Sequence, residues 1–169
     1  MKTIEMEIAL MEYFNFRIGP IITNVSADSF LVNHECDILR LSASGYATEV
    51  EIKISKADLL ADKKKKHSHI DPRIKDFYFA VPKELEEFAL SNIPDRAGLL
   101  VIRKIKIDYV NIVKGFHTVE EYRVEKVRKC EKCKNPVKWS DKTINNLNRL
   151  GSMRIHTLKK KIFALSKEN

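Results

Sequence analysis

The order of local patterns along the chain predicts an α/β fold built on a mixed sheet, and three observations carry that expectation. Residues 3–16 repeat apolar side chains at helical spacing. Two alternating runs, 34–41 and 46–54, flank the turn-forming Ser42-Ala43-Ser44-Gly45 and read as a hairpin. Asp76-Phe77-Tyr78-Phe79-Ala80-Val81 is almost continuously apolar and aromatic, as in a central strand covered on both faces. The sequence helix, strands, helix, strand, helix, strand, strand, helices is that of a layered α/β core.

In the first helix Ile4, Ile8 and Met11 recur with Leu10 and Phe14, Thr3 is placed to cap it, and Gly19-Pro20 ends it. Residues 21–25 form a short strand and 26–29 a turn. Along 46–54, Val50, Ile52 and Ile54 point one way while Glu49, Glu51 and Lys53 point the other. Ser55 then caps a helix through Lys56-Ala57-Asp58-Leu59-Leu60-Ala61-Asp62, with Asp58 as the capping-box acid. Lys63, Lys64, Lys65 and Lys66, with the following His67 and His69, make its solvated end or a loop. Pro82 stops the buried strand. A short helix over 83–90 follows, then a buried strand over 98–102 and an alternating one over 105–113. Residues 141–166 are helical again, with an interruption near Gly151. No repeat or low-complexity linker divides the chain. Residues 1–115 are expected to form the core, and 116–169 a basic helical extension packed on it or continuing it.

A chain of 169 residues with 44% hydrophobic content can bury a core without disulfides. Its mean hydropathy of −0.30 is that of a globular protein, and no apolar run is long enough to cross a bilayer. Residues 1–7 carry acids where a secretory leader needs a basic start, and three cysteines make no disulfide framework. The expected location is cytoplasmic. The net charge of +8 is unevenly spread: residues 103–169 hold 18 Lys and Arg against 7 Asp and Glu, a net of +11. Residues 1–102 carry a net of −3. Cation-binding chemistry in the acidic half and phosphate contact in the basic half is one reading. A lysine-rich solubilising surface is the other.

Metal-assisted phosphodiester hydrolysis needs hard oxygen ligands that leave room for water and phosphate, and it gains from a nearby cation. The hairpin brings such groups together: Asp37 on its first strand, and Glu51 and Lys53, two residues apart, on one face of the second. Ile52 points into the core and leaves its carbonyl as a further ligand. A Glu-x-Lys alone also fits the wet face of any strand.

The wider pattern resembles the PD-(D/E)XK nuclease superfamily. Within it the chain is most similar to MmcB-like DNA-repair nucleases and more distantly to archaeal Holliday-junction resolvases. The residues that carry the likeness are Glu35-Cys36-Asp37-Ile38, the run from Glu51 to Lys64, and Asp76 to Pro82, within roughly residues 4–102. The chain departs from the family at Lys65, where an aromatic is usual, and over 66–75, which is longer and more basic. The resemblance implies a restriction-endonuclease-like core and Mg²⁺, with Mn²⁺ as substitute, held by Asp37 and Glu51. Lys53 positions or activates the attacking water. It also implies a first-helix glutamate assisting at the metal: Glu7 fits best, at the edge of the face that buries Leu10 and Phe14, with Glu5 and Glu12 as rivals. The expected activity is endonucleolytic cleavage of DNA in repair, recombination or phage DNA processing, by a chain that works as a possible homodimer. The alternative is a non-catalytic nucleic-acid-binding module with the same fold.

Ser55 is a helix cap first and a phosphate contact second. Asp62 is placed to tether a lysine, and Glu35 and Glu49 read as surface acids. Lys63, Lys64, Lys65, Lys66, Lys159, Lys160 and Lys161 are candidate DNA contacts. Cys130-Glu131-Lys132-Cys133 supplies half a zinc site, which Cys36, His117 or His156 would have to complete; plain thiols are the simpler reading. Trp139, among Lys134, Lys138 and Lys142, either stacks on a base or anchors the last helix.

Overall fold

The computed structural model describes residues 1–27, 31–62, 71–111 and 115–167, and at 109–111 and 115–117 the backbone alone. Lys63, Lys64, Lys65, Lys66, His67 and His69 lie outside the described residues, as does the side chain of His117. The elements are α1 (Thr3–Tyr13), β1 (Ile21–Val25), β2 (Cys36–Leu41), β3 (Ala47–Ile52), α2 (Lys56–Asp62) and β4 (Ile74–Pro82). A 3-10 turn (Lys83–Leu85) leads into α3 (Glu86–Leu90), followed by β5 (Gly98–Asn111), β6 (Gly115–Arg128) and α4 (Asp141–Leu165).

The expected α/β class is what forms: one six-stranded mixed sheet in the order β1-β2-β3-β4-β5-β6, flanked by helices. β3, β4 and β5 are parallel, with Glu51 opposite Phe79 and Phe79 opposite Leu99; the β1-β2, β2-β3 and β5-β6 pairs are antiparallel. One face is covered by Met6, Ala9 and Leu10 of α1, packed on Ile38, Val50, Ile52, Tyr78 and Leu100. The opposite face packs Leu39, Phe77, Phe79, Leu99 and Val101 against Leu59 of α2, Ala89 of α3 and Leu147 of α4. Leu99, Leu100, Val101 and Ile102 have no exposed surface. Burying each side chain of that size stabilises by about 1.5–3 kcal/mol.

Local chemistry explains where the elements stop. α1 ends at Tyr13 rather than continuing to 16, because Asn15 adopts a left-handed conformation (φ 56°). Its N–H reaches the Glu12 carbonyl and the Phe16 N–H the Met11 carbonyl, a Schellman ending. The N-cap is Lys2, not Thr3, and its N–H donates to Glu5 Oε2 at 2.6 Å. The two expected strands over 98–113 are one strand, β5. Its first half is buried on both sides, and beyond residue 102 it continues as a ribbon with β6, where burial alternates. Residues 115–128 thus join the same sheet.

α4 runs unbroken through Gly151, where a Cβ would stand 2.8 Å from Ile22 Cδ1; the glycine lets the helix approach β1 closely. Ser140 caps α4 by accepting from the Thr143 N–H. Trp139 is buried and donates its indole N–H to the Arg73 carbonyl at 2.9 Å, so it anchors α4. Beyond Gly151, residues 152–167 are exposed. Among the described residues no helix is long and apolar enough to cross a membrane.

Candidate active site

The carboxyl ends of parallel strands are where α/β sheets commonly place ligands, because the chain leaves the sheet there and opens a crevice. Here that edge holds the end of β3, the start of β2 and the end of β1. A pocket of about 200 Å³ lies between them, lined by Asn24, Ser26, Glu35, Cys36, Asp37 and Glu51. The structure brings Asp37 and Glu51 to this one pocket, and Lys53 joins them through a 3.0 Å bond from Nζ to Glu51 Oε2.

Each side chain is held in place. Asp37 Oδ2 accepts the Ile52 N–H at 2.7 Å, so the carboxylate closes the β2-β3 pair just past the last ladder register, Ile38 opposite Val50. The Ile52 side chain is buried in the α1-facing core, as its alternation predicts. Lys53 also makes a 3.0 Å ion pair with Asp62 Oδ1 at the end of α2, so Asp62 does tether a lysine. Lys53 and Glu51 are nearly inaccessible, at 4% and 2% exposure. Burial acts against the Lys53 charge, but Glu51 and Asp62 outweigh it and hold its pKa above the usual lysine value. Held charged in this way, Lys53 presents its ammonium to Glu51 and Asp62. Ser55 Oγ accepts the Asp58 N–H at 3.1 Å, confirming the cap; the Asp58 carboxylate takes the Ile54 N–H at 3.2 Å.

The first-helix glutamates separate clearly. Glu7 is buried and accepts from Asn24 Nδ2 at 3.0 Å, which fixes a wall of the pocket in a left-handed conformation (φ 54°). Glu5 is turned to Tyr122, whose hydroxyl it accepts at 2.6 Å, and Glu12 is exposed.

Glu49 is not a surface acid: it has no exposed area, and both its oxygens lie 2.9 Å from His34 Nε2. His34 Nδ1 faces Asn33 Oδ1 at 2.6 Å. Sequence patterning does not reveal this buried His34–Glu49 pair. Its one signal is the period-two spacing of Glu49 with Glu51, and nothing marks His34. Glu35 is exposed and lines the pocket. The Cys36 thiol registers the local field: burial, then Glu49, Glu51 and Asp37, push its pKa far above the ordinary thiol value.

The donor set suits a hard divalent cation. Among the described residues no three His, Cys, Asp or Glu side chains converge as a complete metal set. Mg²⁺, however, is commonly held by one or two carboxylates together with water and phosphate oxygens. Cys130 and Cys133 do not form half a zinc site with any third described ligand. Cys130 Sγ donates to Asp76 at 3.5 Å, while Cys133 lines a different pocket. Lys159, Lys160 and Lys161 sit on the exposed half of α4, away from the core. Closer to the site, Arg154 of α4 donates to the Asn24 carbonyl at the pocket wall.

No family model and no curated protein matches the chain. Among solved structures, a protein of unknown function from Silicibacter pomeroyi aligns with a TM-score of 0.63 at 16% identity, over 94% of this chain and 92% of that one. At that identity the similarity establishes a shared fold and carries no activity.

Proposed function

We propose that the protein is a Mg²⁺-dependent nuclease, with Mn²⁺ as substitute, that hydrolyses phosphodiester bonds in DNA in the cytoplasm. The observation that carries this reading is the meeting of Asp37 and Glu51, from adjacent strands, in one pocket with Lys53 bonded to Glu51. The resemblance to PD-(D/E)XK nucleases falls on the same three residues. Bound Mg²⁺ would supply Lewis acidity and a water of lowered pKa. Asp37, Glu51 and the Ile52 carbonyl would hold it. Lys53, kept charged by Glu51 and Asp62, orients the attacking water or offsets charge building on the phosphate. Glu7 acts through Asn24, keeping the pocket wall in shape. Arg154, Lys159, Lys160 and Lys161 supply cations for the DNA backbone, and paired cuts in a branched substrate would need two copies of the chain.

The test is incubation of the protein with supercoiled plasmid, single strands and a four-way junction in Mg²⁺, Mn²⁺ or EDTA. Cleavage with either ion and none in EDTA is expected; intact DNA throughout would overturn the proposal. A non-catalytic DNA-binding module is the second reading. It is favoured by the structural duties of Asp37 and Lys53, which would preserve them without chemistry. It predicts DNA binding with no cleavage under any of these conditions.

A further inference from the structure

At the other end of the parallel strands, beside the start of β4, lies a second pocket of about 250 Å³. Four cations line it: Lys75, Arg96, Lys132 and Lys134. Of the two acids present, Asp71 is already engaged by a fork from Arg73, with Nε to Oδ1 at 2.9 Å and an N–H of the terminal nitrogen to Oδ2 at 2.6 Å. Among the described lining residues the other acid is Glu131. A concavity lined by several cations concentrates anions there.

The cations are also preorganised. Lys75 Nζ stands 4.4 Å from the centre of the Tyr46 ring, and Arg96 lies over Phe77 at 5.5 Å. The segment bearing the other two is pinned by the main chain of the first two. The Glu131 N–H donates to the Arg96 carbonyl at 2.9 Å and the Cys133 N–H to the Lys75 carbonyl at 3.1 Å. Ile74 and Phe77 give the same pocket an apolar floor.

We propose that this pocket is a binding site for a phosphomonoester, with the phosphate among Lys75, Arg96, Lys132 and Lys134 and the carbon skeleton over Ile74 and Phe77. A single carboxylate has too few oxygens and too little charge to meet four cations, whereas a phosphomonoester carries close to two negative charges on three acceptor oxygens. The cavity holds more than the phosphate alone fills. A free nucleotide and the terminal phosphate of a nucleic-acid strand share this chemistry. The site does not depend on the nuclease reading.

Cys133 lines the pocket and reports on it, and Cys130, bonded to Asp76, is an internal control. In EDTA, the full chain is alkylated with iodoacetamide and the two thiols are followed separately by mass spectrometry. The additions are inorganic phosphate, a nucleoside monophosphate, a 5′-phosphorylated oligonucleotide and the same strand with a 5′-hydroxyl. Slowing of Cys133 at least fivefold, with Cys130 unchanged, is expected from the phosphorylated compounds. Slowing by the mononucleotide alone identifies a free ligand; slowing by the phosphorylated strand and not its hydroxyl counterpart identifies a strand end. The exposed pair Lys132→Gln with Lys134→Gln leaves the floor intact and should weaken protection at least tenfold in ligand concentration. An unchanged Cys133 rate in every arm, or equal protection in the double variant (an adventitious ion only), overturns the site.

Discussion

Asp37 Oδ2 accepts the Ile52 N–H at 2.7 Å, so one carboxylate both lines the candidate metal pocket and closes the β2-β3 pair. The two duties come apart by substitution. Asp37→Asn keeps an oxygen acceptor and removes the charge; it is expected to abolish cleavage while melting near the wild type and binding DNA as well or better. Asp37→Ala removes both and leaves a backbone donor unmatched, which costs a further amount of about 1–3 kcal/mol. Denaturant midpoints and plasmid nicking rates measure the two effects, and wild-type cleavage by Asp37→Asn would end the catalytic assignment.

Lys53 is as much a structural cation as a chemical one. Lys53→Met removes the partner of two buried carboxylates, a change that costs about 3–5 kcal/mol in sites of this kind. Adding Asp62→Asn should return part of that loss, because the second carboxylate no longer needs a cation. A double-mutant cycle by urea unfolding reads the coupling, and additive effects would show that the 3.0 Å Lys53–Asp62 ion pair contributes nothing. Turnover should stay low in both variants, since neither restores the ammonium beside Glu51.

Asp71 gives a pH dependence. Burial raises its pKa, but the bonds from Arg73 and the Asn33 N–H prevail and bring it below the ordinary 3.8. A carboxylate depressed in the folded state contributes stability above its unfolded pKa and loses it as the pH falls through the folded value. Wild type should therefore lose stability below about pH 4 more steeply than Asp71→Asn, with the two curves converging in stronger acid. Parallel curves from about pH 6 down to about pH 2 by thermal melts would exclude a net stabilising charge at Asp71.

Neutralising Lys159, Lys160 and Lys161 together should weaken binding to every DNA sequence alike. For every phosphate that the variant no longer neutralises, the plot of log K against log salt becomes shallower by about 0.9 on duplex DNA. An unchanged slope would mean that these lysines are only a solvated helix end and that the DNA path lies elsewhere.

The first helix is legible from its apolar spacing, although Ile4 and Ile8 turn out exposed and Met6, Ala9 and Leu10 are the apolar residues buried. The β2-β3 hairpin is legible from its alternation and turn, and β4 from its continuous apolar run. β6 is not. It is an outer strand whose Glu120, Glu121, Arg123 and Glu125 face water or each other's neighbours, and its place is set by the residue-by-residue partnership with β5. The break expected near Gly151 fails for a related reason: the glycine answers to Ile22 of another element and not to the helix that contains it. In the site, Asp37, Glu51 and Lys53 are legible through order and spacing. His34 is not, because its partner stands 15 residues away and the sequence reads it as the first residue of an alternating strand run, whereas the strand begins at Cys36.

α4 is one helix with two kinds of support. Up to Gly151 it is clamped by Ile144, Leu147 and Leu150 against the sheet; beyond Arg154 its residues are exposed, Ile155, Leu158, Ile162 and Leu165 among them. Opening the last turns breaks the helix's own hydrogen bonds and leaves the core untouched. Short helices in water without tertiary contacts are marginal. Amide hydrogens there should therefore exchange by local fraying, while those around Leu147 exchange only when the whole domain opens. Lys159, Lys160 and Lys161 ride on the part that melts independently, so the shape of this cationic arm is free to follow the anion it meets.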